Sequence, residues 1–159
     1  MKQKNKRRNR LMNTMRCPYC NSHVVLRSAD GIYKKNNSET MLYVCARYPI
    51  CDAYVRILPS TNQPAGSLAN GELRALRLEA HQHFDQLYLN GMMTRKEAYV
   101  WLATMLQMPM AQTHIGRLGK YYCRQVIEES KRMLENWRNV KRHSRRLRKV
   151  LRDGVYAAR

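Results

Sequence analysis

Four cysteines in the first third of the chain restrict its fold more than any other feature. Cys17 and Cys20 are separated by two residues, Cys45 and Cys51 by five, and twenty-four residues lie between the two pairs. Zinc binds four thiolates in a tetrahedron, and two close pairs on two tight turns can supply them. The spacing therefore predicts one structural Zn²⁺ held by all four cysteines. Because such a site leaves no open position for a substrate, it argues against metal-assisted catalysis.

Two disulfides in a secreted protein are the alternative explanation for these cysteines. The basic segment from Lys2 to Arg16 is followed by no apolar stretch of the kind found in a signal peptide, so we expect a cytoplasmic protein. The longest mostly apolar run, residues 98–106, is half of the ~20 residues that span a bilayer, and no membrane segment is expected. Cys123 lies alone in a helical pattern, which is typical of a small buried residue.

Positive charge is large and is concentrated at the two ends of the chain. Thirty Lys and Arg against eleven Asp and Glu leave a net charge of +19. Residues 1–16 hold seven basic groups and no acidic one, and residues 138–159 hold nine basic groups with Asp153 alone. Binding of such segments to a polyanion releases counterions, which makes nucleic acid the favoured partner. Solvated, disordered ends are the alternative, and we expect disorder in residues 1–10 of the free protein.

The chain divides by composition into five segments, and the expected fold class is α+β. In order, they are a basic arm (1–16), a zinc ribbon (17–58), a linker (59–66), a helical module (67–137) and a basic helix with a tail (138–159). Within the ribbon, β-branched and aromatic residues predict strands at 41–45 and 53–58, and Asp30-Gly31 predicts a turn. Metal binding would supply folding free energy that so small a ribbon cannot obtain from apolar burial.

Helical periodicity begins after the linker. Ser67 or Asn70 can cap a first helix that stops at Asn90-Gly91. Thr94 to Glu97 forms a capping box for a second helix, which is expected to continue until Pro109. A third helix is expected to begin within residues 115–119 and to run to Arg152, with Asp153-Gly154 as its stop.

The third predicted helix is amphipathic at about 100° per residue. Its apolar face comprises Met133, Trp137, Val140, Leu147 and Leu151. Its basic residues, all candidate nucleic-acid contacts, are Arg138, Arg142, Arg145, Arg146, Lys149 and Arg152. The planar fork of an arginine can donate two hydrogen bonds to a phosphate. A solvated basic face, or a helix lying on a membrane surface, is the alternative.

Two groups of residues resemble known families. The strings Cys17-Pro-Tyr-Cys20 and Cys45-Ala-Arg-Tyr-Pro-Ile-Cys51 resemble the zinc ribbons at the carboxyl end of type IA DNA topoisomerases. With the ribbon, several downstream strings make residues 17–128 similar to the zinc-finger-containing family of small phage and bacterial proteins. These strings include Pro64-Ala-Gly-Ser-Leu-Ala69, Ala80-His81, Tyr99-Val-Trp101-Leu-Ala103 and His114-Ile-Gly116. The second resemblance implies a fold and a phage setting, and the long basic carboxyl extension departs from that family's pattern.

Candidate nucleic-acid contacts in the ribbon come partly from the topoisomerase resemblance. It implies that Arg47, Tyr48, Tyr54 and Arg56 contact nucleic acid, with bases stacked on the tyrosines. Lys34 and Lys35 lie between the expected Asp30-Gly31 turn and the expected strand at 41–45, and are candidates for phosphate contact or for a solvated loop. Tyr43 and Tyr48 are equally compatible with packing in the core of the ribbon.

The sequence contains no recognisable catalytic constellation. It has no glycine-rich phosphate loop, paired acidic motif or nucleophile elbow. His81 and His83 lie on different sides of a helix, so a second metal site that includes them with His114 and Cys123 is disfavoured. A pair between His81 and Asp85 without a nucleophile does not make an active site. We therefore expect no enzymatic activity.

These patterns favour a zinc-ribbon protein that binds nucleic acid, DNA before RNA, in the regulation of transcription or in phage DNA metabolism. The alternatives are an RNA-binding protein and an adaptor or inhibitor that binds a host or phage protein complex, such as RNA polymerase or a defence system. The adaptor would use adaptable methionines of the helical module. They are Met92, Met93, Met105, Met108 and Met110.

Overall fold

The computed structural model describes residues 15–35 and 39–157, with side chains to residue 153. Nearly all of the predicted basic arm (1–16) lies outside this range. The described chain forms two compact units. The first, here called the ribbon unit, extends to Arg77 and includes residues 116–119; the second, the helical unit, consists of residues 78–115 and the chain from Lys120 onward.

Three short strands form the sheet of the ribbon unit. They are β1 (Val24–Ser28), β2 (Met41–Cys45) and β3 (Tyr54–Arg56). Both neighbouring pairs are antiparallel, and the spatial order is β1-β2-β3. The predicted strand at 41–45 is confirmed, whereas β3 is shorter than the predicted 53–58.

Both faces of the sheet bury side chains, because β2 lies at its centre and is almost wholly enclosed. On one face Tyr43, Val24 and Val55 pack with the cysteines and Leu68. The hydroxyl of Tyr43 donates to the carbonyl of Asn62 at 2.8 Å. Tyr43 is therefore a core residue rather than a surface stacking residue.

Residues 59–66 do not separate the ribbon from the helices as the predicted linker would. They turn back on the ribbon, where Leu58 N–H donates to Gln63 O and Ala65 N–H donates to Arg56 O, both at 2.8 Å. The guanidinium of Arg77 is buried and donates to Leu118 O and Ser67 O. These bonds explain why the ribbon unit continues to Arg77 and takes in residues 116–119, beyond the predicted boundary at residue 58.

Three helices follow in sequence: α1 (Gly71–Leu89), α2 (Arg95–Leu106) and α3 (Lys120–Ala157). Asn70 caps α1, since its Oδ1 accepts from Leu73 N–H at 3.0 Å. After α1, Gly91 has a φ of +68°, consistent with the predicted stop. The predicted capping box of Thr94 and Glu97 begins α2, and Gln107 in a left-handed conformation ends α2 before Pro109.

The core of the helical unit is apolar and aromatic. Phe84, Leu87, Leu102 and Val126 are buried, and the Phe84 ring lies 5.1 Å from that of Tyr99, centroid to centroid. Cys123 is fully buried in α3, as its sequence context indicated.

The end of α3 differs from the prediction. The helix passes through Asp153 and Gly154 and continues to Ala157, so the stop predicted at these two residues is wrong. A single glycine costs about 1 kcal/mol in a helix relative to alanine, which does not end a helix unless the chain turns into a left-handed cap. No helix in residues 15–35 and 39–157 is both long enough and apolar enough to cross a membrane.

Candidate metal centre and basic surface

Two turns and the end of one strand carry the four cysteines. The first turn is closed by Asn21 N–H donating to Cys17 O at 2.9 Å, with Asn21 at a φ of +56°. Cys45 ends β2, and the next turn is closed by Cys51 N–H donating to Arg47 O at 3.1 Å. The backbone of each turn thus turns its two thiols inward.

The four sulfur atoms form one cluster, and all lie within 4.8 Å of one another. Sγ of Cys17 is 3.6 Å from Sγ of Cys51, and Sγ of Cys20 is 3.4 Å from Sγ of Cys45. Four thiolates around zinc at about 2.3 Å lie about 3.8 Å apart, so the donor set fits a tetrahedral Zn²⁺. The cysteines are free thiols rather than disulfides. The predicted ligand set is brought together completely, and the site is structural because no ligand position stays open.

The environments of two of these thiols differ strongly. Hydrogen bonds from the side chain and backbone of Ser22 lower the pKa of Cys20 to about 6. Burial raises the pKa of Cys45 to about 12. Because zinc binds thiolates, its positive charge must offset the cost of ionising the buried Cys45.

A comparison with protein families agrees with this geometry. The sequence model of a family described as a zinc-finger-containing domain matches residues 13–133, which is more than half of the chain. The chain belongs to this zinc-finger-containing family. No curated protein and no solved structure matches it. The resemblance of the ribbon to those of type IA topoisomerases therefore stays a prediction.

The match to the zinc-finger-containing domain ends within α3. Residues 134–159, which include the whole predicted basic segment, lie beyond the matched part. The carboxyl extension, which was predicted to depart from the family pattern, is thus the part of the chain that the family match does not include.

The candidate contacts on the zinc-finger domain are spread over the ribbon unit. Lys34, Lys35 and Arg47 are exposed in loops, and Arg56 is exposed on β3. Tyr48 is half-buried and packs beside Ala29, Leu42 and Val44. These residues do not converge on one pocket, and their contact with nucleic acid stays a prediction.

Tyr54 has a packing role that the sequence did not reveal. The guanidinium carbon of Arg74 lies over the Tyr54 ring at 3.7 Å from its centroid, and the Tyr33 ring meets it edge-on at 6.1 Å. Burial raises the pKa of Tyr54 above its ordinary value. Since Arg74 covers one ring face, a base can stack there only if Arg74 moves away.

Arg74 is itself held by Asp52, the residue that follows the last zinc ligand. Its Nη2 donates to Asp52 Oδ2 at 2.9 Å, and its Nη1 donates to the carbonyls of Asp52 and Ala69. Asp52 Oδ2 also accepts from Gly71 N–H at 2.8 Å, at the start of α1. Sequence reasoning missed this arrangement because no local spacing connects residues 52 and 74.

The basic residues predicted on the last helix lie along α3 and are exposed. They are Arg138, Arg142, Arg145, Arg146, Lys149 and Arg152. Among the side chains described up to residue 153, Arg152 is the one of these six that pairs with a carboxylate, that of Asp153 at 3.6 Å. This part of α3 therefore carries positive charge that nearby acids leave almost wholly uncompensated.

Arg138 and Arg142 also line a cleft between α1 and α3, of about 600 Å³. Gln82, His83 and Gln86 form the α1 side of this cleft. Burial lowers the pKa of His83, and the positive charge of nearby Lys131 lowers it further. The cleft is thus polar, with arginines on one side.

The apolar face predicted for the same helix is largely uncovered beyond Trp137. The exposed fractions are 65% for Val140, 51% for Leu147 and 69% for Leu151. Trp137 is half-buried, and Lys141 Nζ lies 3.8 Å from the centroid of its ring. A helix with this composition exposes two chemically different surfaces.

Within the described residues, the four cysteines are the one group of His, Cys, Asp and Glu side chains close enough to hold a metal. His81 and Asp85 do form a pair, with Nδ1 4.0 Å from Oδ1. This pair is partly buried on α1 and joins no second metal cluster.

Proposed function

We propose that the protein is a non-enzymatic, zinc-stabilised nucleic-acid-binding protein that binds DNA mainly through the phosphate backbone. The zinc ribbon serves as a rigid scaffold, and the basic residues of α3 supply most of the attraction. We infer a phage-encoded protein that acts in the cytoplasm of the host, in the regulation of transcription or in DNA metabolism.

The row of six basic side chains on α3 carries this proposal. They follow a single helix, and the acidic residues near them are Glu135, one turn before Arg138, and Asp153, which pairs with Arg152. A helix that merely needs a solvated face does better with charges of both signs, because like charges repel along its surface. Phosphates spaced along a nucleic acid would relieve this repulsion and release their counterions.

Contacts from the zinc-finger domain are a secondary part of the proposal. Arg47 and Arg56 are exposed on the ribbon and suit phosphate, whereas Tyr48 and Tyr54 are partly used in packing. We therefore expect the ribbon to contribute less to affinity than α3.

Neutralising part of the α3 row tests the proposal. The variant Arg142→Gln, Arg145→Gln, Lys149→Gln removes three charges; the matched control Lys96→Gln, Arg117→Gln, Arg132→Gln removes three exposed charges elsewhere. Fluorescence anisotropy with single-stranded DNA, duplex DNA and RNA across a salt series gives the affinities. The row variant should lower the slope of log K against log salt for duplex DNA by about 2 to 3, since each lost phosphate contact removes about 0.9.

Two results would contradict the proposal. If the row variant and the control variant lose the same affinity, net charge alone attracts the polymer. If the unmodified protein binds none of the three polymers at physiological salt, none of them is its target.

An adaptor that binds a protein complex is the second candidate function. A shallow groove of about 720 Å³ on α2 is lined by Met93, Val100 and Trp101 with polar residues around them. An adaptable methionine beside an aromatic ring suits a protein partner. This candidate predicts that Val100→Asp abolishes capture of the partner, whereas the α3 row variant leaves it intact.

A further inference from the structure

Four apolar side chains of α3 that are exposed or half-buried follow a strict spacing together with Ser144. Trp137, Val140, Ser144, Leu147 and Leu151 recur at intervals of three, four, three and four residues. At about 100° per residue they fall within an arc of about 80°. So narrow an apolar stripe is typical of a coiled-coil seam, whereas a helix that lies on a membrane or packs on a core has a wider one. We refer to these five residues as the seam.

The charged residues of α3 are placed away from the seam. Arg138, Arg142, Arg145, Arg146, Lys149 and Arg152 all occupy the outward positions of the heptads. Among the described side chains, Lys141 and Arg148 are the two basic groups that flank the seam directly, and both lie on the same side of it. On the other side are His143 and Val150, the latter 68% exposed.

We propose that residues 137–151 of α3 form a parallel, in-register, two-stranded coiled coil with a second copy of the chain once the positive charge of the two helices is screened or neutralised. In this arrangement each flanking residue faces the opposite flank of the partner helix, so His143 faces Arg148 and Asn136 faces Lys141. An antiparallel pair would instead bring Lys141 against Arg148 twice. The parallel pair avoids these contacts between like charges.

Because the helices are highly charged and the seam is short, the two copies should associate only when their charge is screened or neutralised. Residues 138–153 contain eight basic groups and one acidic group, so each helix carries a net charge of +7 here. The seam spans fifteen residues, about 22 Å of helix, and buries less area than the 1,200 Å² or so of a stable interface. The two copies therefore repel one another at low salt and associate when salt or a polyanion reduces the repulsion. The effect of a polyanion rests on the proposed function, while the effect of salt does not.

Salt distinguishes this inference from nucleic-acid binding, because high salt should favour the dimer and weaken the binding of nucleic acid. Sedimentation equilibrium of the zinc-loaded full chain at about 0.1 M and about 1 M NaCl should show the dimer dissociation constant falling by about tenfold or more, because the Debye length falls from about 10 Å to about 3 Å. Leu147→Asp should stay monomeric at both salts. Leu78→Asp, the same change at a position that is 62% exposed on α1, should dimerise like the unmodified protein.

Cysteine cross-linking tests the orientation. Ser144→Cys and Val140→Cys should each form a disulfide-linked dimer at high salt, because identical seam positions meet in a parallel pair. Arg145→Cys, which points away from the seam, should not. If the protein dimerises at high salt but neither variant forms a disulfide-linked dimer, the pair is not parallel and in register, and the proposal is overturned.

The remaining outcomes are also decisive. If the protein is a monomer at both salt concentrations, the dimer proposal is wrong. If, in that case, Leu147→Asp weakens binding to phosphatidylglycerol–phosphatidylcholine vesicles, the seam binds a membrane surface. Seam-dependent dimers in a chain that fails to bind any nucleic acid would remove the proposed function and leave this inference standing. If the protein stays monomeric and binds DNA equally well with and without Leu147→Asp, this inference is wrong and the proposed function stands.

Discussion

The guanidinium carbon of Arg74 lies 3.7 Å from the centroid of the Tyr54 ring. The same guanidinium donates to the carboxylate and the carbonyl of Asp52, immediately after the zinc ligand Cys51. One side chain thus ties the strand β3, the second cysteine turn and the start of α1 together within the ribbon unit.

Replacing Arg74 with alanine should destabilise the ribbon unit. Arg74→Ala removes the hydrogen bonds to Asp52 and Ala69 and uncovers Tyr54, so the free energy of unfolding should fall by about 2 kcal/mol. Urea unfolding followed by NMR signals of β2 and β3 measures this. Arg74→Lys keeps the charge but loses the planar fork, and should recover less than half of the loss. A lysine variant as stable as the original would show that charge alone suffices.

A methyl group on Gly66 should disrupt the same unit for a steric reason. A Cβ there would lie 2.0 Å from the carbonyl oxygen of Gly116, which is backbone and cannot rotate away. Gly66→Ala should therefore lower the free energy of unfolding by about 1–3 kcal/mol. Gly119→Ala is the control, since its added methyl meets nothing within 4 Å. Equal melting temperatures for the two variants would contradict the close approach of residues 66 and 116.

Loss of one ligand should remove the zinc and unfold the ribbon. Cys20→Ser leaves three thiolates, and metal analysis of the purified variant should fall from one zinc per chain to almost none. The α2 and α3 signals in NMR spectra should persist because Phe84, Leu102 and Val126 form a core without zinc. Cys123→Ala, which changes the buried cysteine outside the cluster, should keep its zinc. An unaltered ribbon spectrum in zinc-free Cys20→Ser would argue against a structural role.

His81 should make the helical unit less stable in mild acid. Burial lowers the pKa of His81 below 6.5, and the charge of His114 lowers it further, although Asp85 raises it. As the pH falls below 6.5, the unfolded chain takes up this proton before the folded chain does, so stability decreases until the folded pKa is reached. An NMR titration should place the His81 midpoint below 6.5.

The variant His81→Gln isolates that contribution. The difference in unfolding free energy between about pH 7.5 and about pH 5.5 should be smaller in this variant than in the unmodified protein. Since both proteins carry the same zinc site, acid effects on the cysteines cancel in the comparison. An identical pH dependence would mean that His81 does not titrate differently in the folded state.

Much of the local structure could be predicted because its causes are local. The two cysteine pairs define the zinc ligands by their spacing, and the Thr94–Glu97 capping box defines the start of α2. The stop predicted at Asp153-Gly154 was wrong, because a glycine in a helical run permits a stop without requiring one.

The sequence by itself determined the zinc ligands, the capped helices and the two-faced character of α3, since each follows from short-range spacing. Tertiary structure alone decided that Arg74 covers Tyr54, that residues 59–66 fold back on the ribbon, and that Val140, Leu147 and Leu151 stay exposed. Periodicity shows which side chains share a face, but not what covers that face. That depends on contacts between residues far apart in the chain, which carry no signature in local spacing.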